Sequence, residues 1–313
     1  MSITQVAIFG ASGNFGRPTT QALLAASFNV TIFTRPDSTT PHPPSIPQIR
    51  TPYTVDELTP LLAPFDAVIL LLGPAALPSI SAITTAAHAA AVSRLIINDF
   101  GWGPHPRTLP SFSTIHAARK QNWDLAASLA ADTTSSSSSS PSFSWTGIST
   151  GNPIDWALAR FPLMGFDVVN RSALLYDSAT QEFTGTTLEG IANAVVGVLR
   201  RPDETKNRFV SVLSLRTSQG AVFRAFEEKV PGWTVRRDQA KRLREEGEGK
   251  CERGEKGWVL DLAVAQLFEE GEGRCCVAED WEVSDSELVG VRKETVGEVV
   301  DKVLKEVGAK SSE

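Results

Sequence analysis

The amino-acid sequence predicts an α/β protein built on a doubly wound parallel sheet, with a smaller C-terminal α/β lobe. Three observations support this fold class: a glycine-rich turn directly after a short apolar run, the alternation of apolar and helical segments in the first half of the chain, and the absence of polar alternation within the apolar segments. Strands that are apolar throughout are buried on both faces, as in a parallel sheet covered by helices. Right-handed crossovers between such strands produce the doubly wound arrangement.

The first predicted strand, residues 6–9, leads into the turn Gly10-Ala-Ser-Gly13-Asn-Phe-Gly16, and a helix-compatible stretch follows at 19–26. Glycine permits positive φ and a close approach of the backbone to phosphate groups. The N-terminus of the following helix attracts the pyrophosphate of a dinucleotide. The spacing G-x-x-G-x-x-G differs from the G-x-G-x-x-G of classical dehydrogenases, and an ordinary strand–helix turn is the alternative. We expect a nucleotide to contact this turn at Gly10, Ser12, Gly13, Asn14, Phe15 and Gly16.

The same alternation continues to residue 150, so residues 1–150 are predicted to form a Rossmann domain that binds NADP. Its further strands are predicted at 28–34, 48–51, 67–72, 94–97 and 143–148, and its helices at 55–62, 78–91 and 114–131. Residues 132–142 contain six consecutive serines. Because such a tract cannot bury apolar surface, we predict a surface loop there.

Residues 151–313 are predicted to form the substrate-binding lobe. Shorter strands are expected at 181–184 and 209–213, and a segment at 236–256 that is dense in charges of both signs is interpreted as a solvated helix or loop. Apolar residues at helical spacing over 286–307 predict an amphipathic helix that closes the fold.

Composition excludes several classes of function. The net charge of −6 argues against nucleic acid or an anionic membrane as a partner. The three cysteines are too few for a disulfide framework, and the adjacent pair Cys275 and Cys276 lacks the spacing of a zinc site, so no metal is expected. No apolar run reaches the length of a membrane span, and the N-terminus leads directly into a strand rather than a signal peptide. We therefore expect a cytoplasmic protein, monomeric or homodimeric, that acts on a small molecule.

The end of the second strand predicts which dinucleotide is bound. It reads Thr34-Arg35-Pro36, with no acidic residue at the tip to accept the ribose 2′-hydroxyl. A guanidinium matches the oxygens of a 2′-phosphate, so Arg35 predicts NADP(H) as the cofactor. Asp37 follows a proline and is expected to point elsewhere. The alternative is that Arg35 is an ordinary exposed arginine.

A reductase also needs a group that supplies a proton or stabilises an oxyanion. The Tyr-x-x-x-Lys pair of common short-chain enzymes is absent, since neither Tyr53 nor Tyr176 precedes a lysine by four residues. On the helix after the fifth strand, His116 and Lys120 are spaced i, i+4 and share a face. We predict Lys120, with His116, as the catalytic group and as a neighbour of the cofactor. An exposed helix face would explain both residues equally well.

The carboxyl ends of parallel strands line the ligand crevice of such folds. Gly73 and Asp99 follow the fourth and fifth strands, and Asn152 and Pro153 follow the sixth. We expect these four residues to contact the cofactor, and Asn152 and Pro153 also to border the substrate. A loop cap is the alternative for Asp99.

Together these motifs resemble the NmrA-like and isoflavone-reductase-like branch of the atypical short-chain dehydrogenases, particularly its fungal members. The resemblance spans most of the chain. It is carried by the glycine turn, Thr34-Arg35-Pro36, Leu95-Ile-Ile-Asn-Asp-Phe-Gly101, Lys120, Trp145-Thr-Gly-Ile-Ser-Thr-Gly151 and Ser284-Asp-Ser-Glu-Leu-Val-Gly290. One departure from the plant pattern is Asn98-Asp99, where Ser-Glu is usual.

The resemblance implies an NADPH-dependent reductase of an aromatic, phenolic or polyketide-like small molecule. In the reductase members the lysine that matches Lys120 is catalytic, and the arginine that matches Arg35 binds the 2′-phosphate. Two other functions remain open. One is an NADP(H)-sensing regulator of the NmrA type without turnover, although such relatives commonly lack the lysine. The other is a non-redox isomerase or lyase on the same scaffold, in which the lysine would abstract a proton.

Overall fold

A seven-stranded parallel sheet forms the centre of the structure, a computed structural model that describes residues 3–73, 76–97, 99–104, 112–132, 143–271 and 275–310. All six neighbouring pairs in this sheet are parallel. In spatial order the strands are β11 (Arg208–Ser211), β6 (Ser144–Ser149), β5 (Arg94–Ile96), β4 (Ala67–Leu70), β1 (Gln5–Phe9), β2 (Asn29–Thr34) and β3 (Gln48–Arg50). The strand order reverses between β1 and β4, which confirms the predicted doubly wound fold and makes their carboxyl ends the expected ligand crevice.

Alternate residues of β1 supply the two hydrophobic cores that lie on either side of the sheet. Val6 and Ile8 pack with α1 (Gly16–Ala25) and α6 (Leu188–Arg200). Ala7 and Phe9 pack on the other face with three helices, α2 (Val55–Leu62), α3 (Leu77–Ala89) and α4 (Ser113–Ala131). Complete burial of each large apolar side chain stabilises the fold by roughly 1.5–3 kcal/mol, which is why these strands have no polar face.

The second part of the chain builds two small sheets and a core of its own. One sheet contains β7 (Asn152–Pro153), β10 (Glu182–Thr186) and β12 (Leu215–Ser218), and the other contains β8 (Phe166–Asp167), β9 (Ser172–Tyr176) and β13 (Thr234–Asp238). The remaining helices are α5 (Ile154–Leu158), α7 (Pro202–Thr205), α8 (Gln219–Lys229), α9 (Ala240–Glu252), α10 (Trp258–Phe268) and α11 (Val296–Lys310). Phe166, Phe183, Phe226 and Phe268 are buried at the centre of this lobe.

Strand β11 links the two parts of the fold. It belongs to the predicted substrate lobe, yet it pairs in parallel with β6 at the edge of the main sheet, and α6 covers that sheet from the same half of the chain. The chain therefore returns to the first sheet after residue 150, which the alternation pattern did not predict.

One predicted element differs clearly in the structure. The closing helix begins at Val296 rather than at 286. The preceding residues serve as hydrogen-bonding partners of β11 instead: Asp285 accepts from Ser211 N at 2.8 Å and forms a two-contact ion pair with Arg208 at 2.9 and 3.1 Å. Side chains that bond backbone groups in this way compete with helix formation. The charged segment at 236–256 divides between the end of β13 and helix α9.

Of the predicted Ser-rich loop, residues 133–142 lie outside the described residues. Across the described ranges, no helix is long and apolar enough to cross a membrane. The same ranges hold no group of three or more His, Cys, Asp or Glu side chains that could hold a metal ion.

Candidate active site

The three glycines of the turn after β1 have different surroundings. Gly10 has φ +86°, and a Cβ on it would lie 2.2 Å from the Leu71 carbonyl oxygen. A Cβ on Gly16 would lie 2.1 Å from the Gly10 carbonyl oxygen. These two glycines therefore allow the first helix to pack against the strand ends. Gly13 is less crowded, since a Cβ on it would lie 3.3 Å from the Gly10 carbonyl oxygen, and it lines both cavities described next.

The first of these, the strand-tip cavity, has a volume of about 340 Å³ and extends from the glycine turn to the ends of β2 and β3. Thr34 Oγ1 is buried and has no hydrogen-bond partner among the described residues. Arg35 is 58% exposed, and its Nε lies 3.7 Å from Asp37 Oδ1. Asp37 itself is 76% exposed and is not among the described lining residues of the cavity. The described lining residues are Gly10, Ala11, Ser12, Gly13, Phe33, Thr34, Arg35, Ser38, Thr40, His42, Tyr53, Leu71, Leu72, Gly73 and Ala76.

His42 and Tyr53 of this cavity were not predicted from the sequence. Burial, together with the positive charges of Arg17 and Arg50, lowers the pKa of His42. Burial raises the pKa of Tyr53 to about 12, with Arg35 opposing this shift, and the hydroxyl donates to the Phe33 carbonyl at 3.0 Å. The cavity thus combines the Arg35 guanidinium with neutral donors and has no carboxylate among its described lining residues, which suits a phosphate group.

The second cavity, which we call the central cavity, has a volume of about 330 Å³ and continues from the strand-tip cavity at Gly13, Leu71, Leu72 and Gly73. A Cβ on Gly73 would meet no atom within 4 Å, so this residue borders open space. The other lining residues lie at the carboxyl ends of the strands or on neighbouring elements, and they are Asn14, Phe15, Asp99, Phe100, Arg119 and Trp156.

Two further cavities adjoin the central cavity. The apolar chamber, of about 220 Å³, shares Phe15, Phe100, Arg119 and Trp156 with it and is otherwise lined by Gly101, Trp102, Gly151, Asn152, Pro153, Ala157, Leu163, Leu260, Ala263, Val264 and Leu267. The side chamber, of about 170 Å³, shares Trp102, Arg119 and Ala263 with the apolar chamber and adds Gly103, Phe112, His116, Trp123 and Val259. Helix α10 supplies one wall of both chambers, a role that nothing in the sequence analysis predicted.

Several polar atoms around the apolar chamber have no protein partner. Asn152 Oδ1, Trp102 Nε1 and Trp156 Nε1 are buried and make no hydrogen bond to a described residue. Buried polar groups are almost always satisfied, so such atoms at a cavity wall are available to a ligand. Pro153 also lines this chamber, so Asn152 and Pro153 lie beside the predicted substrate space rather than in the central cavity.

Asp99 and Arg119 form the ionised pair of the cleft. The Asp99 side chain is 1% exposed, and Arg119 Nη1 lies 3.6 Å from its Oδ1. Neither Asp99 oxygen accepts a hydrogen bond from a described residue. Burial raises the pKa of Asp99 to about 6, and the positive charge of Arg119 opposes this shift. Asp99 is therefore not a loop cap.

Lys120 lies away from all four cavities. Its Nζ bonds both carboxylate oxygens of Asp124, at 2.7 and 2.6 Å, and the side chain is 57% exposed. The predicted orientation of Lys120 is therefore wrong, because the carboxylate one turn along α4 holds the ammonium on the solvent side. His116 does line the side chamber, with its ring edge-on to Trp123 at 5.4 Å. Of the other predicted cofactor residues, only Gly16 lies off the cavity walls.

Comparison with known proteins defines the family. A sequence model described as NAD(P)H-binding matches residues 10–202. Oxidoreductase poxI of Penicillium oxalicum is 52% identical over 296 residues, which are 94% of this chain and 92% of that protein. Oxidoreductase aprR of Aspergillus flavus is 26% identical over 320 residues, 96% of this chain and 99% of that protein.

This chain belongs to the NAD(P)H-binding family. The match covers the glycine turn and every described strand of the main sheet except β1, which precedes residue 10, and β11, which follows residue 202. Because the chain is also similar to proteins named as oxidoreductases, it is an NAD(P)H-binding oxidoreductase.

Solved structures confirm the isoflavone-reductase-like fold. A structure of AtPrR2 with NADP+ and (+)pinoresinol has a TM-score of 0.75 at 14% identity, over 97% of this chain and 99% of that chain. An isoflavone reductase has a TM-score of 0.72 at 13% identity, over 96% and 99%. The leucoanthocyanidin reductase–NADPH complex of Vitis vinifera has a TM-score of 0.71 at 14% identity, over 96% and 99%.

Proposed function

We propose that the protein is an NADPH-dependent reductase of an aromatic, phenolic or polyketide-like small molecule. One observation carries the proposal: the central cavity, which begins at the glycine turn, adjoins the apolar chamber, and the two share Phe15, Phe100, Arg119 and Trp156 as lining residues. A dinucleotide along the strand ends would place its reactive end beside a compartment built for an apolar ligand.

The strand-tip cavity supports NADP(H) rather than NAD(H). Its guanidinium at Arg35, the hydroxyls of Ser38 and Thr40 and the orphaned Oγ1 of Thr34 suit a phosphorylated ribose. Gly13 and Gly73 both line the central cavity, and the open space that a Cβ on Gly73 would enter suits the pyrophosphate. When bound, NADPH supplies a hydride, two electrons with one proton, to an electrophilic carbon of the substrate.

The walls of the apolar chamber support an aromatic substrate. Trp102, Trp156, Phe15 and Phe100 provide flat apolar surfaces, with Phe15 and Phe100 6.0 Å apart between ring centroids. Asn152 Oδ1 and the two indole N–H groups supply a few polar contacts for orientation. AtPrR2, crystallised with (+)pinoresinol, has the same fold, which is in keeping with this substrate class.

The proposal that Lys120 handles the proton rests on the family resemblance. To enter the cleft, its side chain would have to leave Asp124 and turn across α4. An exposed i, i+4 pair contributes only about 0.3–0.5 kcal/mol, so that pairing is a small barrier to reorientation. If Lys120 acts, Lys120→Ala abolishes turnover and leaves the affinity for NADPH nearly intact. Equal activity would rule out the role.

The function is tested by mixing the protein with NADPH and a panel of aryl enones, quinones and phenolic ketones. The absorbance of the reduced nicotinamide and the mass of the product are followed together. Reduction of a panel member with loss of NADPH supports the proposal. Product without loss of NADPH would indicate an isomerase or lyase. Tight NADPH binding without any conversion would favour a nucleotide sensor.

A matched variant tests the location of the substrate. Ala263 lines both the apolar chamber and the side chamber and lies away from the strand-tip and central cavities. Ala263→Phe fills the space between the chambers, so it should raise KM or abolish turnover without changing the Kd for NADPH. Unchanged kinetics would place the substrate elsewhere.

A further inference from the structure

Arg119 occupies the junction of the cleft. Among the described residues it is the one that lines the central cavity, the apolar chamber and the side chamber alike. Its side chain is 38% exposed, so the guanidinium is reachable from these spaces. The adjacent cation, Lys120, lies on none of them. The single positive charge at the meeting point of the proposed cofactor and substrate sites, among the described residues that line them, is therefore that of Arg119.

The Arg119 guanidinium is held at this junction by electrostatic attraction rather than by a close hydrogen bond. Asp99 attracts it across 3.6 Å, and no described residue hydrogen-bonds to either carboxylate oxygen. Gly101 leaves room for the approach, since a Cβ on it would lie 3.4 Å from Arg119 Nη1 and 3.5 Å from Asp99 Oδ1. Guanidinium carries five N–H donors and cannot release a proton in a protein. Arg119 therefore has donors to offer a ligand but no acid function.

We propose that Arg119 is the oxyanion-binding residue of the apolar chamber and selects ligands that carry a phenolate oxygen or develop an enolate. Under the proposed reductase function, addition of a hydride to a conjugated carbonyl forms a C–H bond and moves the π electron pair onto the carbonyl oxygen. NADPH is oxidised and the carbonyl compound is reduced. The N–H groups of Arg119 stabilise that oxygen, which then takes a proton from Lys120, if that residue acts, or otherwise from water.

The chemistry of the walls explains why one cation at this position has a large effect. The chamber surface is mostly indole, phenyl and aliphatic carbon, so the charge is screened less than on the outer surface. A planar aromatic anion could lie against Trp102 or Trp156 while its oxygen accepts from Arg119. This arrangement distinguishes an anion from a neutral ring of the same shape, which apolar walls alone cannot do.

The inference is tested without knowing the substrate. The probe is 4-nitrophenol, whose anion has its own visible absorbance, titrated with the full-length protein in the presence of saturating NADP+. The fraction of bound probe that is ionised is measured across pH. Because hydrogen bonds to charged groups are stronger than neutral ones, we expect the wild-type protein to bind the phenolate about tenfold more tightly than the neutral phenol.

Four variants decide the assignment. Arg119→Gln should remove the preference for the phenolate while the neutral phenol still binds, and Arg119→Lys should retain part of it. Arg242→Gln removes an exposed cation that is 70% accessible on α9 and is the control for net charge. Loss of the preference in Lys120→Gln with retention in Arg119→Gln would overturn the inference. So would a wild-type protein that binds both forms equally.

This readout is independent of turnover. A phenolate preference that depends on Arg119 would stand even if no substrate in the panel were reduced. Conversely, if the protein reduces a panel member but its phenolate preference does not depend on Arg119, the proposed function stands and this inference is overturned. If Arg119→Gln fails to fold, as judged by its thermal unfolding, the comparison of Arg119→Lys with Lys120→Gln decides the same question.

Discussion

Arg119 Nη1 approaches Asp99 Oδ1 to 3.6 Å in the cleft, where Asp99 accepts no hydrogen bond from a described residue. The pair joins the carboxyl end of β5 to helix α4 across the junction of the cavities. A carboxylate so deeply buried with one distant partner is destabilising when ionised, and burial accordingly raises its pKa to about 6. Such sites are typical of functional clefts rather than of structural cores.

The first prediction concerns stability and pH. The pKa of Asp99 rises on folding, so the native state binds its proton more tightly than the unfolded state and stability falls as pH rises from about 4 through about 6. The free energy of unfolding of Asp99→Asn should therefore be higher than that of the wild type at pH 8, by up to about 3 kcal/mol for a pKa shift of this size. The difference should disappear near pH 4. Urea unfolding at several pH values measures it, and a constant difference would contradict the buried, ionising carboxyl.

The second prediction concerns the cofactor. Arg35→Ala removes the guanidinium of the strand-tip cavity and should weaken NADPH binding by about 10- to 100-fold, the range expected for charge-assisted hydrogen bonds. The affinity for NADH should change little. Arg201→Ala, which removes an exposed cation on another part of the surface, serves as the control. Tryptophan fluorescence titrations give both Kd values, and an unchanged NADPH-to-NADH ratio in Arg35→Ala would refute the assignment.

The third prediction concerns His42. Burial and the charges of Arg17 and Arg50 lower its pKa, so the ring is neutral at pH 8 in the free protein. A bound phosphate dianion opposes those charges and raises the pKa, so binding takes up a proton. Affinity for NADPH relative to NADH should therefore increase severalfold between about pH 8 and about pH 6. His42→Gln should show a weaker dependence, limited to the titration of the phosphate itself. Identical profiles would mean that His42 does not face the phosphate.

The fourth prediction compares two glycines. A methyl group on Gly16 would meet the Gly10 carbonyl at 2.1 Å, and neither backbone segment can move freely. Gly16→Ala should lower the free energy of unfolding by more than about 2 kcal/mol. A methyl group on Gly73 meets nothing within 4 Å, so Gly73→Ala should unfold like wild type and instead bind NADPH more weakly. A destabilised Gly73→Ala with normal binding would show that Gly73 has a packing role.

Sequence patterns predicted an element correctly where its structure depends on residues that are neighbours in the sequence. The strands of the main sheet lie within one or two residues of their predicted positions, and helix α2 has the predicted bounds, because burial on both faces demands continuous apolar runs. The closing helix was placed ten residues too early. Its first predicted residue, Ser286, hydrogen-bonds the backbone of Leu213 just after β11, a contact 73 residues apart in sequence that periodicity cannot detect.

Helix α4 shows the same limit of sequence-based prediction, here for the orientation of single side chains. The sequence indicates that α4 borders the cleft and that it carries several cationic or titratable residues. Helical spacing separates Arg119 from Lys120 by only about 100°, so both are compatible with a long side chain reaching the ligand. Asp99 attracts Arg119 inward and Asp124 holds Lys120 outward, and only the packed structure shows which carboxylate each cation meets.

The sequence by itself determined the fold class, the position of the glycine turn and the place of Arg35 at the tip of β2, because each depends on residues adjacent along one strand, turn or helix. The tertiary structure alone decided that Arg119 rather than Lys120 reaches the junction, that Asp99 is buried beside it, and that α10 walls the chamber. Those relationships join segments that are far apart in the sequence, and their free energies depend on burial and on pairs of charges that no local pattern contains.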